Sequence, residues 1–175
     1  HMPITEEKFI NAAMICDPIN LMDSSPIGDG AAAVILVPAE KISGRVIRVV
    51  GSSAATDTLA IHSRKDPTWL SAAERSSKKA YDQAGITPQD IDFFEYHDAF
   101  TIMAALSLEA NGFVERGKGP QMALDGAIRL DGSLPVATMG GLKARGHPVG
   151  ATGMYQLVEV IQQLRGSAGE NQLEK

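Results

Sequence analysis

The stretch 140–153 combines five glycines with a single histidine and reads GGLKARGHPVGATG. Glycine permits tight turns and lets the backbone approach another group closely. His147 lies between Gly146 and Pro148, so the chain is permissive on one side of the imidazole and has a fixed φ on the other. That geometry can point the imidazole into a pocket. The alternative is a loop histidine at the start of the following helix.

A nucleotide phosphate loop is the obvious competing interpretation of this stretch. Gly141 and Gly146 have the required spacing, but a phosphate loop continues with Lys and then Ser or Thr, which reach phosphate and magnesium. This sequence continues with His147 and Pro148 instead. The phosphate-loop interpretation is therefore excluded.

A second group of candidate residues is His97-Asp98-Ala99-Phe100, which follows a predicted strand over 91–96 and precedes a predicted helix over 100–111. In α/β sheets, ligand sites gather at the carboxyl ends of strands, where side chains and helix N-termini converge. Both groups of residues could therefore belong to a site.

Both groups resemble the signatures of one family, the thiolase superfamily of acetyl-CoA acetyltransferases and 3-ketoacyl-CoA thiolases. Residues 140–153 are similar to its glycine-histidine-proline signature. Residues 97–100 have the His-Asp-Ala-Phe form of its archaeal and sterol-carrier-protein branch, where other branches have Asn-Glu-Ala-Phe. The resemblance covers most of 23–165, which is about the C-terminal half of the two-lobed enzyme.

The resemblance implies an acetyl-CoA C-acetyltransferase that forms or cleaves acetoacetyl-CoA or another 3-ketoacyl-CoA. Such Claisen chemistry places negative charge on an oxygen, which fixed hydrogen-bond donors stabilise. The resemblance gives this role to His147 and His97, the second directly or through a bound water. Asp98 keeps two interpretations: it orients His97 or that water, or it caps the helix that it enters.

The resemblance also implies a coenzyme A thioester as the substrate, with no metal and no redox cofactor. The loop would approach the pantetheine arm of coenzyme A at the positions Gly140, Gly141, Gly146 and Gly150. The region 52–69, a long polar loop, matches the part of the family that lies over coenzyme A, but His62 and its neighbouring charges match no motif and favour a solvated loop.

The nucleophile is missing, since the acylated cysteine of thiolases precedes the region covered by this chain. Cys16 does not replace it, because Ile15-Cys16-Asp17-Pro18 lacks the glycine and small residues of a nucleophile turn; we interpret it as structural. We expect this chain alone to be inactive. Two alternatives stay open: a thiolase-fold retro-aldolase that acts on acyl-CoA side chains, and a non-catalytic half of a split enzyme.

Composition limits the remaining possibilities. The chain has 175 residues, 44% of them hydrophobic, which suits one sizeable core. The net charge of −5 and the dispersed Lys and Arg argue against nucleic acid as a partner. No long apolar run or leader is present, so we expect a cytoplasmic protein without a membrane segment. His62, His97 and His147 are too scattered in sequence to argue for zinc. His1-Met2 resembles a cloning scar.

The predicted fold is α/β, a thiolase-like C-terminal half with a mixed sheet covered by helices and incomplete relative to the family. We assign 1–43 to the end of the N-terminal half and 44–175 to the C-terminal domain, which lacks its final hairpin. An incomplete sheet exposes unpaired edges, so we expect self-association or low stability of this chain alone. At full length, with the remainder of the thiolase chain, we expect a homo-oligomer. The periodicity predicts strands at 31–37, 44–51, 91–96 and 134–138, and helices that start near Glu6 and span 71–84, 100–111, 121–127 and 154–165.

Local signals predict the ends of several elements. Thr5 and Thr87 are predicted N-caps, and Gly85 is predicted to end the helix over 71–84 in the left-handed conformation. Small residues along one face of that helix indicate close packing on a neighbouring element. Residues 23–30 are predicted to form a loop.

Overall fold

The computed structural model describes residues 4–44 and 46–174, which form two compact units. The first unit contains residues 4–34, 94–104 and 136–174. The second contains residues 35–44, 46–93 and 105–135. Each unit is therefore assembled from separated stretches of sequence. The predicted division at residue 43 concerns the two halves of the thiolase and stays a prediction, and His1-Met2 lies outside the described residues.

Within the described residues, helices and a small antiparallel sheet give the α/β composition that the sequence predicts. The elements are α1 (Glu6–Ile10), β1 (Met14–Cys16), β2 (Ile19–Asn20), α2 (Ser71–Ala84), α3 (Thr101–Ala110), α4 (Gly119–Leu124), α5 (Gly141–Arg145) and α6 (Thr152–Arg165). In β1 and β2, Met14 pairs with Asn20 and Cys16 with Ile19. The sequence analysis did not identify this hairpin, nor helix α5 inside the glycine-rich stretch.

Local capping signals predicted the helices well. Thr5 is the N-cap of α1, and its side chain accepts a hydrogen bond from the backbone N–H of Lys8 at 3.2 Å. Helix α2 begins and ends where predicted, and Gly85 follows it with a φ of 68°, the left-handed C-cap that glycine adopts most easily. These predictions are confirmed because each signal acts over only three or four residues.

The four predicted strands are wrong as continuous strands in the part of the chain that the structure describes. Residues 31–37, 46–50, 91–96 and 134–138 form no ladder there. The sheet is reduced to isolated bridges, of which Ile27–His147 and Phe94–Val136 are parallel and Ser24–Phe100 is antiparallel. An apolar run becomes a strand only when its backbone groups pair with a neighbour, and among the described residues these segments make strand pairing only at the bridge between Phe94 and Val136.

The apolar run 31–37 shows the consequence of that lost pairing. Ile35 is 90% exposed and Leu36 is 76% exposed, although a buried strand was predicted here. The incompleteness predicted for the sheet is visible in this segment, and the predicted self-association stays a prediction. Separately, no helix of the described residues has the length and apolar character needed to cross a membrane.

The second unit packs tightly around α2 and the C-terminal part of α3. Leu108 is 1% exposed. A Cβ added to Gly51 would lie 2.4 Å from the carbonyl oxygen of Ala80, so a glycine is needed where that segment meets α2. This close approach confirms the tight packing predicted from the small residues along one face of α2.

The first unit buries an unusual share of polar groups beside its few apolar ones. Leu142 of α5 is fully buried at 0% exposure, and Asp98, Thr138, Thr152 and Glu159 are buried as well. Buried polar groups require hydrogen-bond partners. Their partners define the site described next.

Candidate functional site

The two histidines singled out in the sequence meet in the first unit, although 50 positions separate them. The Nε2 atoms of His97 and His147 are 3.3 Å apart, and the two rings are edge-on with centroids 4.9 Å apart. Two Nε2–H groups cannot donate to each other. Either one ring accepts from the other, or both rings donate to a third atom that lies within reach of both nitrogens. The structure thus provides two ring nitrogens that converge on one point.

The backbone of His147 is held by a segment from the start of the chain. Its N–H donates to the carbonyl oxygen of Pro26 at 2.8 Å, and its carbonyl oxygen accepts a hydrogen bond from the N–H of Gly28 at 3.4 Å. These contacts surround the parallel bridge between Ile27 and His147. Residues 26–28 therefore fix the position from which the imidazole projects.

The side chain of His147 is oriented by the first residue of α6. The Nδ1 atom of His147 lies 2.7 Å from the hydroxyl oxygen of Thr152, which is buried at 3% exposure. The pKa of His147 is lowered, first by desolvation and then by the nearby His97 and Arg145, with Asp98 acting in the opposite direction. A lowered pKa favours the neutral imidazole at pH 7.

His97 follows a segment that meets the residues before the glycine-rich stretch. Phe94 and Val136 form a parallel bridge, and the N–H of Ala137 donates to the carbonyl oxygen of Phe94 at 3.0 Å. The Nε2 of Gln156 in α6 donates to the carbonyl oxygen of Tyr96. Helix α6 thus contacts the residue before His97 and, through Thr152, orients His147.

Asp98 makes a contact that the sequence did not predict, and its predicted role in orienting His97 or a bound water stays a prediction. Its Oδ1 accepts a hydrogen bond from the backbone N–H of Leu142 at 2.8 Å, so it caps the first turn of α5 rather than the helix that it precedes. The carboxylate is buried at 7% exposure. Because Asp98 directly follows His97, this hydrogen bond ties the segment of His97 to the stretch that carries His147.

The contact between Asp98 and the start of α5 requires a glycine at position 141. It has a φ of 63°, and a Cβ at this position would lie 2.2 Å from Oδ2 of Asp98. Gly140 and Gly146 also have positive φ values, whereas Gly150 has open space where a Cβ would be. The predicted close approach is thus made at Gly141 to the protein's own carboxylate, and an approach of these glycines to coenzyme A stays a prediction.

Residues 24–28 form a further part of the site. The sequence predicted residues 23–30 only as a loop and did not place them next to the two motifs. The N–H of Ser25 donates to the carbonyl oxygen of Ala99 at 2.8 Å, and Ser24 bridges Phe100. Apolar surface remains open there, since Phe100 is 45% exposed and Ile27 is 89% exposed. Turn residues are all that the sequence shows in this segment, so no local signal could have placed it between the two motifs.

Charged residues on α5 and α6 form a further part of the site that was missed. Arg145 donates through Nε to Oε1 of Glu159 at 2.6 Å; the Glu159 side chain is buried and that of Arg145 is 14% exposed. Arg145 also donates to the carbonyl oxygen of Gly146 at 3.3 Å. Lys143 donates to the hydroxyl of Thr101 at 2.7 Å, and desolvation lowers its pKa. The glycine-rich stretch is therefore held by side chains as well as by its backbone.

The distance between His97 and His147 in sequence was taken as evidence against zinc. For these two residues that reasoning was wrong, because they are adjacent in the structure. Within residues 4–44 and 46–174, however, no three His, Cys, Asp or Glu side chains are grouped so that they could hold a metal ion. Cys16 lies on β1, where it pairs with Ile19, and is exposed; its interpretation as structural stays a prediction.

The long loop 52–69 lies in the second unit and is anchored there. Arg116 forms an ion pair with Asp66 at 2.6 Å and lies over the ring of Trp69 at 5.3 Å. His62 is exposed, as expected for a solvated loop. A cleft of about 430 Å³ in this unit is lined by Trp69, Tyr81 and other residues, and includes no predicted site residue.

Comparisons with known proteins agree with this fold. Residues 53–175 match the family model described as thiolase C-terminal domain-like, and the chain belongs to the thiolase family. An acetyl-CoA acetyltransferase of Methanothermobacter thermautotrophicus is 47% identical over 99% of this chain and 46% of its own length. The acetyl-CoA acetyltransferase of Methanocaldococcus jannaschii is 40% identical over 93% of the chain and 43% of its own length.

Two other matches define the breadth of the resemblance. Human sterol carrier protein 2 is 31% identical over 91% of this chain and 30% of its own length. The solved structure of an Ltp2-ChsH2(DUF35) aldolase superposes with a TM-score of 0.79 at 23% identity, over 99% of this chain and 46% of that one, which shows a common fold. The predicted family and its archaeal and sterol-carrier-protein branch are confirmed. The chain spans less than half the length of these relatives.

Proposed function

We propose that this chain is the C-terminal part of a thiolase that forms or cleaves acetoacetyl-CoA or another 3-ketoacyl-CoA. The observation that carries the proposal is the 3.3 Å separation between Nε2 of His97 and Nε2 of His147. Two donors aimed at one point are what a developing oxyanion requires. The substrate is a coenzyme A thioester, and the acylated cysteine comes from outside this chain.

The protonation of His147 supports the role of oxyanion donor. Its lowered pKa keeps the ring neutral at pH 7. When the Thr152 hydroxyl donates to Nδ1, the single ring proton resides on Nε2, which faces His97. A neutral ring in this tautomer donates to the thioester oxygen. In this arrangement Thr152 and Asp98 are positioning residues.

The test uses a full-length thiolase that contains this chain, with acetoacetyl-CoA and coenzyme A as substrates. His147→Ala is expected to lower kcat by about 10²- to 10³-fold, because one oxyanion donor is lost, and to leave KM nearly unchanged. His97→Asn restores the residue type of the other thiolase branches and is expected to retain far more activity than His97→Ala.

The matched control is His62→Ala, since His62 is an exposed loop histidine. Its kcat should equal that of the unmodified enzyme. A His147→Ala enzyme with unchanged kcat would contradict the assignment. Turnover of acyl-CoA side chains that persists after the upstream cysteine is replaced by alanine would favour the retro-aldolase alternative instead.

A further inference from the structure

We propose that Glu95 is a positioning residue for the two imidazoles: its carboxyl group holds Thr138, and through Thr138 it holds the stretch that brings His147 to His97. Glu95 does not belong to either sequence motif. It lies two residues before His97, and Thr138 lies two residues before Gly140. The inference deepens the proposed function and rests on it for its catalytic meaning.

The contact between Glu95 and Thr138 is made twice by one oxygen atom. Oε1 of Glu95 accepts hydrogen bonds from the backbone N–H and from the hydroxyl of Thr138, each at 2.7 Å. Thr138 is 2% exposed, so both donors are shielded from bulk water in the intact protein and depend on this acceptor. A loss of the carboxyl group therefore leaves two buried donors without this acceptor.

The backbone next to Thr138 is in a conformation that needs such support. Ala137 has a φ of 47°, in the left-handed region that a residue with a Cβ adopts only under strain. Its N–H donates to the carbonyl oxygen of Phe94, and its own carbonyl oxygen accepts from the N–H of Gly140 at 2.7 Å. The turn that starts the glycine-rich stretch is thus strained at Ala137 and tied down by Phe94 and Glu95.

The groups that face Glu95 from the neighbouring elements belong to the same network. Arg145 of α5 and Glu159 of α6 are the charged groups that act on it, and Tyr96 is its titratable neighbour. Arg145 binds the carbonyl oxygen of Gly146, immediately before His147. Glu95 therefore supports the beginning of the stretch, and the Arg145–Glu159 pair supports its end.

Burial changes the pH range in which Glu95 ionises. Desolvation is the largest influence on the carboxyl group and raises the pKa of Glu95 to about 7. Glu159 acts in the same direction, while the hydrogen bonds from Thr138 and the charge of Arg145 oppose it. A neutral Glu95 or a glutamine keeps an oxygen acceptor for Thr138, whereas an alanine does not.

The test follows the pKa of His147 in this chain and does not depend on turnover. A negative result therefore contradicts this inference without contradicting the proposed function. The pKa of His147 is followed by NMR through its ring carbon and proton shifts, assigned with His147→Gln. Glu95→Ala is expected to raise this pKa toward 6.5, its ordinary value, because the ring separates from His97 and from its desolvating surroundings. Glu95→Gln should leave it lowered.

The matched control is Asp90→Ala, which removes the same pair of hydrogen bonds from Thr87 in the second unit and should leave the His147 titration unchanged. A folded Glu95→Ala protein with an unaltered His147 pKa would overturn the proposal. If that variant does not fold, Thr138→Val decides: a raised His147 pKa supports the proposal, and an unaltered one overturns it. An inactive full-length enzyme whose His147 titrates as expected contradicts only the proposed function.

Discussion

The same pair of hydrogen bonds is found at Asp90 in the second unit and at Glu95 in the first, and the pKa of the carboxyl group shifts in opposite directions at these two residues. In the second unit, Oδ2 of Asp90 accepts from the N–H and the hydroxyl of Thr87 at 2.8 Å and 2.7 Å. In the first unit, Oε1 of Glu95 accepts from the N–H and the hydroxyl of Thr138. The pKa of Asp90 is lowered, whereas the pKa of Glu95 is raised to about 7.

Solvation explains the difference. Asp90 is exposed, so its charged form keeps its hydration and gains two hydrogen bonds from Thr87. Glu95 is partly buried near Glu159, so the loss of hydration outweighs the same two bonds. A hydrogen-bond pattern read from coordinates therefore does not give the sign of a pKa shift until burial is known.

The largest expected effect is on the pH dependence of stability in the first unit. Because the folded pKa of Glu95 is about 7 and its ordinary value is 4.5, its contribution is fully present below pH 4.5 and is lost as pH rises through 7. The loss is on the order of 3 kcal/mol. Glu95→Gln should remove it, which urea unfolding of both proteins between pH 4 and about 8 would measure. An unchanged pH dependence in the variant would show that Glu95 has an ordinary pKa.

A smaller effect is expected from the threonine hydroxyls. Thr138→Val removes one of the two hydrogen bonds to the partly buried carboxyl group of Glu95 and is expected to cost about 1–3 kcal/mol. Thr87→Val removes the equivalent bond at an exposed capping box and is expected to cost about 1 kcal/mol or less. Chemical denaturation of the two variants at pH 6 compares them directly. Equal losses would mean that burial does not distinguish the two sites.

The smallest effect is expected from Asp90→Asn, and it disappears in acid. The folded pKa of Asp90 lies below 3.8, so its contribution is present above the unfolded pKa and is lost as pH falls through the folded one. Because asparagine resembles the protonated carboxyl group, the variant should be slightly less stable than the unmodified protein at pH 7, and the two stabilities should converge in acid. Thermal unfolding from pH 2 to about 7 would reveal this. A difference that is largest in acid would contradict it.

The sequence predicted the parts of this protein whose signals are local. Thr5, Thr87 and Gly85 marked the ends of helices or turns correctly, because capping depends on hydrogen bonds within a few residues. The family and the two motifs were also predicted correctly. The strands failed because a strand needs a partner elsewhere, and apolar runs such as 31–37 show only that a partner would be favourable.

The candidate site was predicted in its chemistry but not in its support. His97 and His147 were chosen from their residue types and neighbours, and the structure places them in contact. The partner of Asp98 was not predicted, since Leu142 lies 44 positions away. Residues 24–28 were also missed, because a loop that bridges two distant motifs carries no periodic signal of its own.

The sequence by itself determined the family, the helices and the identity of the two imidazoles. Only the tertiary structure decided that Asp98 caps α5, that Glu95 supports Thr138 and that Glu95 titrates near pH 7. The physical reason is that capping and helix termination depend on neighbours in sequence. Burial and long-range hydrogen bonds depend on which segments pack together.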